Sequence, residues 1–102
     1  MSKYSINITN TAKHALREIV DYYFSNLENP LLAVKVLRKI NETFDAIATF
    51  PEGYQIYEGK TTEKLRSTRV MHYRIFYKID NIEHLVSIIH IIYAKRNLDE
   101  LL

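Results

Sequence analysis

The stretch HYRIFYKID, residues 72–80, alternates in a way that decides how the rest of the chain folds. A β-strand repeats every two residues, so its side chains divide between two faces. One face carries Tyr73, Ile75, Tyr77 and Ile79, and the other carries Arg74, Phe76 and Lys78. Basic residues repeated along a strand predict either a solvated sheet edge or a surface that holds an anion.

The segments around this stretch predict further strands. Asp80-Asn81 fits a tight turn, and residues 83–93 would then pair with residues 72–79 as a hairpin. The second strand of that hairpin is apolar on both faces, which predicts a central position in the sheet. Alternation in residues 4–8, 54–57 and 65–71 predicts three shorter strands.

Two helices are predicted between the first strand and the others. The polar residues 9–11 supply N-caps, and apolar residues then recur at helical spacing to about residue 27. Asn29 followed by Pro30 predicts the start of a second helix, which Pro51 ends because the residue before a proline resists the helical region. The very short connection predicts an antiparallel helical hairpin.

This order of elements predicts an α+β fold with one domain over residues 1–102. The helical hairpin would pack on one face of a small, mostly antiparallel, twisted sheet and leave the other face partly open. Tyr73 and Ile75 would face the helices, whereas Arg74, Phe76 and Lys78 would face outward. Cationic groups on either side of an aromatic ring can bind backbone phosphates while a base stacks on the ring.

The composition excludes several kinds of site. The chain has no cysteine, which removes disulfides, thiolate zinc sites and cysteine nucleophiles. The histidines are not spaced as metal ligands, so we expect no metal and no cofactor. The first ten residues lack the pattern of a signal peptide, and the longest apolar run, residues 85–94, is too short to span a bilayer. We therefore expect a cytoplasmic protein without a membrane partner.

Positive charge is concentrated in one part of the chain. Residues 60–78 hold six basic residues and one acidic residue, whereas the formal net charge of the whole chain is only +2. The six are Lys60, Lys64, Arg66, Arg69, Arg74 and Lys78. A cluster of this size favours a polyanionic partner such as nucleic acid over a basic edge that only prevents aggregation.

The ordered set of these segments resembles the RelE/ParE superfamily of bacterial type II toxin–antitoxin toxins. The resemblance covers nearly the whole chain: the first helix TAKHALREIVDYY, a second helix that begins at NP and ends at FP, the LR segment, YRIFYKID, a hydrophobic strand and a terminal KR-x-L pattern. It implies a growth-inhibiting toxin held inactive by a cognate antitoxin protein. The superfamily has two branches, one cleaving messenger RNA on the ribosome and one inhibiting DNA gyrase.

The resemblance also implies site residues for the ribonuclease branch, which works without a metal. Arg74 and Arg96 correspond to arginines that stabilise the transition-state phosphate, and Tyr93 stands where many relatives carry a histidine. A tyrosine can donate a proton, which keeps Tyr93 as a candidate catalytic residue. The expected nucleic-acid contacts are Lys60, Lys64, Arg66, Arg69, Phe76, Lys78 and Lys95.

The leading interpretation is a metal-independent endoribonuclease, an mRNA interferase, whose partners are the antitoxin, the ribosome and mRNA. A gyrase inhibitor without nuclease activity is the alternative, because Leu102 stands where the ribonuclease branch carries a further tyrosine and the long helical hairpin resembles the gyrase branch. Both branches need a cationic surface, so charge does not choose between them. Whether Tyr93, His72 or His90 takes part in chemistry also stays open, because a lone histidine in an apolar strand is usually a core residue.

Overall fold

Two helices lie against one face of a five-stranded sheet in the computed structural model, which describes residues 3–59 and 64–95. The elements in chain order are β1 (Ser5–Ile8), α1 (Asn10–Asp21), α2 (Pro30–Thr49), β2 (Gln55–Ile56), β3 (Arg66–Val70), β4 (Tyr73–Asp80) and β5 (Leu85–Tyr93). The predicted α+β class and the helical hairpin over a mostly antiparallel sheet are confirmed. Within these described residues, no helix is long and apolar enough to cross a membrane.

The sheet has the strand order β1-β5-β4-β3-β2. β1 runs parallel to β5, and the other three pairs are antiparallel. The predicted central position of β5 is confirmed for Leu85–Ile88, which have β1 on one side and β4 on the other. The last five residues of β5 have a strand neighbour only on the β4 side.

The connection between β4 and β5 is longer than the predicted tight turn. Asp80 pairs with Leu85, so the loop contains the four residues 81–84. The Asp80 side chain accepts hydrogen bonds from the backbone N–H groups of Ile82 and Glu83, both at 3.0 Å. His84 takes a positive φ of 55° before the chain enters β5. Loops of this kind often begin with an aspartate whose side chain accepts hydrogen bonds from the backbone N–H groups that follow it.

Side-chain caps begin both helices where the sequence predicts them. The Thr9 hydroxyl accepts from the Ala12 N–H at 3.3 Å, and the Asn29 side chain accepts from the Leu32 N–H at 3.1 Å. α1 is shorter than predicted, because the helix widens at residue 22 into the π-helical turn Tyr22–Asn26. The prediction of helical structure to about residue 27 was therefore right in extent, although the last turn is not an α-helix.

The main core lies between the helices and the sheet. Tyr73, Ile75 and Tyr77 of β4 face the helices, as predicted, and are almost completely buried there. Burial of a tyrosine requires a hydrogen-bond partner for its hydroxyl. The Tyr77 hydroxyl donates to the Pro51 carbonyl at 2.6 Å, and the Tyr73 hydroxyl donates to the Tyr23 hydroxyl at 3.4 Å.

Because these two tyrosines are buried, we expect the free energy of unfolding to fall at alkaline pH. The pKa of Tyr73 is raised far above its ordinary value, mainly by burial and secondly by the hydrogen bond with Tyr23. Burial also raises the pKa of Tyr77, and the nearby Arg66 opposes this with a smaller effect. Above about pH 10, tyrosines ionise in the unfolded chain while these two stay neutral in the folded one, so stability falls as the pH rises. We expect Tyr73→Phe to reduce that slope by up to ~1.4 kcal/mol per pH unit in urea unfolding between about pH 9.5 and 11. An unchanged slope would contradict this.

A second, smaller core covers the sheet face opposite the helices. Phe76 packs there with Leu65 and Ile92, and the partly buried Tyr57 and Ile89 close over them. The Tyr57 ring stands edge-on to the Phe76 ring, with centroids 5.0 Å apart, and the Tyr57 N–H donates to the Leu65 carbonyl at 2.8 Å. This face is therefore covered in its middle, so it is less open than the sequence predicts.

Candidate nucleic-acid interface

Arg69 and Arg74 stand directly opposite each other on β3 and β4. Residues that are directly opposed in a sheet share a face, and the neighbouring pair Ser67 and Phe76 identifies it as the face away from the helices. The Arg74 guanidinium donates through Nη1 to the Ser67 hydroxyl at 3.3 Å. Arg69 donates through Nε to the carbonyl of Met71 at 3.1 Å. Both arginines are thus oriented by hydrogen bonds on one surface, which we call the arginine face.

Arg69 and Arg74 are expected to repel each other across the arginine face. Like charges directly opposite each other in a sheet destabilise it. Within residues 3–59 and 64–95, the ion pairs join Lys3 to Asp45, His14 to Glu18 and Lys39 to Glu42, so none of them neutralises either arginine. A phosphate bound by both arginines would reduce this repulsion and accept hydrogen bonds from both side chains.

This arrangement predicts that inorganic phosphate stabilises the protein. At a phosphate concentration ten times the Kd, the expected gain is about 1.4 kcal/mol, or roughly 5–10 °C in Tm. Thermal unfolding at constant ionic strength measures it. Arg74→Gln should lose most of the shift, whereas Lys35→Gln, at an exposed position on α2, should keep it. Equal shifts in the two variants would mean that phosphate does not bind between the arginines.

Arg66 does not lie on the arginine face. It stands opposite Tyr77, whose side chain faces the helices. Its guanidinium donates through Nη1 to the carbonyls of Tyr54, at 2.7 Å, and Glu52, at 3.3 Å. Arg66 therefore anchors the turn that follows α2, on the face opposite Arg74, and its predicted nucleic-acid contact remains a prediction. The alternation of β3 puts residues 66 and 69 on opposite faces.

Phe76 is on the predicted face, but its predicted stacking on a base is wrong. The side chain is 0% exposed beneath Tyr57, Leu65 and Ile92, so its ring offers no free surface to a base. Tyr57, just after β2, and Leu65, just before β3, pack over the ring. Phe76 therefore stabilises the surface that carries Arg74.

The other predicted contacts are spread along the edges of this surface. Lys78 is half-buried and lies opposite Ser87, on the same face as Arg74. Lys64 and Lys95 are exposed, just before β3 and just after β5. Lys60 and Arg96 lie outside the described residues, as does Leu102. The nucleic-acid contacts of Lys64, Lys78 and Lys95, and the roles of Lys60 and Arg96, remain predictions.

Tyr93 is placed away from Arg74. It stands opposite Tyr73, on the helix side of the sheet, whereas Arg74 stands opposite Ile92 on the other side. Its ring lies 6.0 Å from the Tyr73 ring and 6.5 Å from the His72 ring, between centroids. The structure thus brings Tyr93 together with His72 and does not bring it to the arginine face.

A groove of about 1040 Å³ lies beside Tyr93, between α1 and the part of β5 that has no β1 neighbour. Its lining includes three histidines, His14, His72 and His90. The sequence gives no sign that these residues share a surface, because they come from three different elements. Within the described ranges, no group of three His, Asp or Glu side chains is arranged to hold a metal ion.

His90 changes faces because β5 contains a β-bulge. Phe76 pairs with His90 and Tyr77 pairs with Ile88, so Ile89 is the extra residue. Regular alternation would put His90 with Ile88 in the main core, as the sequence suggests. The bulge instead puts it opposite Phe76, on the face that carries Arg74. The sequence leaves a chemical role of His90 open, but it does not predict the bulge that puts this residue on the arginine face.

Comparison with known proteins gives a family and a fold. The family described as the ParE toxin of the type II toxin–antitoxin system, parDE, matches residues 6–98. No curated protein sequence matches this chain.

Three solved structures are similar in fold. The RelBE2 toxin–antitoxin complex from Mycobacterium tuberculosis has 19% identity and a TM-score of 0.65, covering 90% of this chain and 99% of that chain. The chromosomal ParDE system from P. aeruginosa has 17% identity and a TM-score of 0.75, covering 91% and 98%. The archaeal RelE–RelB complex from Pyrococcus horikoshii has 17% identity and a TM-score of 0.61, covering 94% and 100%.

Proposed function

This chain belongs to the ParE toxin family of type II toxin–antitoxin systems. On the basis of its arginine face, we propose that this toxin cleaves messenger RNA on translating ribosomes. The observation that carries the proposal is the arginine face, where two arginines stand at directly opposed positions of β3 and β4, and no ion pair within the described residues includes either of them. A buried serine orients one of them. Such a surface supports binding of a single phosphodiester.

The chemistry of RNA cleavage suits this surface. When a 2′-oxygen attacks the adjacent phosphorus, negative charge accumulates on the equatorial oxygens of the phosphorane. Positioned cationic donors stabilise such charge more strongly than they stabilise the ground state. Arg69 and Arg74 supply two planar donor groups that can each bond two oxygens. Stabilisation of this kind supports Arg74 as a catalytic residue, with Arg69 as a phosphate contact.

The cellular experiment is a short induction of the toxin, followed by sequencing of RNA fragments with 5′-hydroxyl ends. We expect new ends inside translated regions of a reporter message. A matched reporter without a start codon should remain intact, because its coding region carries no elongating ribosomes. Equal cleavage of both reporters would contradict ribosome dependence, and intact reporters during growth arrest would contradict the nuclease function.

Inhibition of DNA gyrase is the second candidate. The matching family takes its name from the ParE toxins, and the P. aeruginosa ParDE structure has a TM-score of 0.75. The placement of Tyr93 on the opposite face from Arg74 also favours a toxin that binds without proton transfer. A supercoiling assay with purified gyrase tests it: inhibition at a toxin concentration near that of gyrase, with intact message in the cell, would replace the ribonuclease function.

The partner supported by the comparisons is an antitoxin protein, since the similar structures are toxin–antitoxin systems. We propose that an acidic or amphipathic segment of the antitoxin wraps the helical hairpin or covers the basic surface. Segments of this kind become ordered on binding. If the arginine face is covered, binding of the antitoxin should weaken as salt concentration rises.

A further inference from the structure

His90 reaches the arginine face only because of the bulge at Ile89. In β5, Ile88 packs in the main core, and the extra residue Ile89 packs in the second core on the opposite side. The following residue, His90, is opposite Phe76, which belongs to that second core. Bulges re-aim side chains in this way and are frequent beside active sites.

The surroundings of His90 allow an RNA strand to approach it. β5 has no β1 neighbour beyond Ile88, so His90 lies at an edge of the sheet and borders the groove beside α1. Its ring is edge-on to the buried Phe76 ring, with centroids 6.5 Å apart. The buried Phe76 ring therefore borders the imidazole on one side. The side chain remains partly exposed.

His90 and Arg74 are diagonal neighbours on two paired strands. Arg74 lies two residues before Phe76 on β4, and Phe76 is directly opposite His90. Diagonal neighbours in an antiparallel sheet are separated by roughly 7–8 Å between Cα atoms. The Arg74 guanidinium bonds Ser67 on β3, so it has to turn toward β5 for Arg74 and His90 to contact one phosphodiester.

We propose that His90 is the proton acceptor of the cleavage reaction, an inference that rests on the proposed ribonuclease function. An imidazole nitrogen of His90 takes the proton of the RNA 2′-hydroxyl while the 2′-oxygen forms a bond to phosphorus. The bond between phosphorus and the 5′-oxygen breaks, and that oxygen takes a proton from water. The products are a 2′,3′-cyclic phosphate and a 5′-hydroxyl, and His90 returns its proton to solvent.

Several other titratable and charged groups face this region. β4 contributes Arg74 and Lys78 on the face that carries His90. The groove is lined by His14, Glu18 and Asp21 from α1 and by Tyr22 and Tyr23 from the π-helical turn. Its lining also includes His72 from the β3–β4 turn, Tyr73 from β4 and Tyr93 from β5. His14 is paired with Glu18, 2.9 Å from Nε2 to Oε1. Because these other groups also titrate, a pH dependence measured on the wild type alone could not be assigned to His90. The experiment therefore compares variants.

The test is the single-turnover rate of message cleavage in ribosome complexes from pH 5.5 to 8.5, for wild type, His90→Gln and the control His14→Gln. Loss of a general base typically costs about 10²–10⁴-fold in rate. We expect a loss in that range for His90→Gln, together with loss of the acidic limb of the pH profile. His14→Gln should retain the wild-type rate and profile.

A second variant guards against a folding artefact. In His90→Ala, added imidazole should restore part of the cleavage rate, whereas a purely structural role would give no rescue. If the wild type cleaves and His90→Gln keeps its rate and pH profile, the role of His90 is refuted while the proposed function stands. If the wild type leaves the message intact in translating ribosomes, both are refuted together.

Discussion

Arg74→Ala is expected to abolish toxicity while leaving a folded protein that binds its antitoxin. The side chain is half-buried on the arginine face and contacts the Ser67 hydroxyl, and it is not part of the main core. Removing one preorganised donor to a developing oxyanion typically costs about 10²–10³-fold in rate. We expect a loss of that size in message cleavage, and cells that grow normally when the variant is induced.

Two further variants separate the specific role of the Arg74 side chain from the general effect of losing a positive charge. Arg74→Lys keeps the charge but loses the planar fork of donors, so its activity should fall between those of the wild type and the alanine variant. Lys35→Ala removes a cation on the exposed side of α2 and should remain fully toxic. Circular dichroism and urea unfolding establish that each variant is folded. An Arg74→Ala protein with wild-type toxicity would refute the assignment of the site to the arginine face.

Phe76→Ala is expected to have the largest effect on stability. The side chain is 0% exposed and packs against Leu65, just before β3, and Ile92 of β5. Truncation of a buried phenylalanine to alanine costs about 3–5 kcal/mol, which is a large fraction of the stability of a small domain. Urea unfolding measures the loss, and Phe76→Leu should retain much of the stability because it fills more of the cavity.

The matched control is Phe24→Ala, since Phe24 is exposed on the π-helical turn. Surface substitutions of this kind usually change the free energy of unfolding by less than about 0.5 kcal/mol. If Phe76→Ala were as stable as the Phe24 variant but bound RNA less tightly, Phe76 would be a stacking platform, and its assignment to the second core would be wrong.

The predictable part of this fold follows from periodicity and capping. The helical hairpin is predictable because Asn29 and Pro30 begin α2 and Pro51 ends it. The face of β4 that packs on the helices is predictable because four apolar or aromatic residues recur at period two. These features depend on neighbours in sequence, so a single sequence contains them.

The features that were missed depend on which residues are opposed across strands. Nothing local places Arg69 opposite Arg74, or Tyr93 opposite Tyr73, because register is set by the whole sheet. The same is true of the bulge at Ile89, which reverses the face of His90, and of the carbonyls that bind Arg66. The sequence alone therefore identifies the basic region but not the subset of residues that share a surface.

Cell-free translation of a defined message with the purified toxin, with new 5′ ends mapped by primer extension, tests the central claim most directly. The claim is that the arginine face cleaves messenger RNA on ribosomes. The expected result is cleavage within the coding region only while ribosomes translate it, present with wild type and Lys35→Ala and absent with Arg74→Ala. An intact message with undiminished translation in the presence of folded wild-type toxin would contradict the claim and direct attention to DNA gyrase.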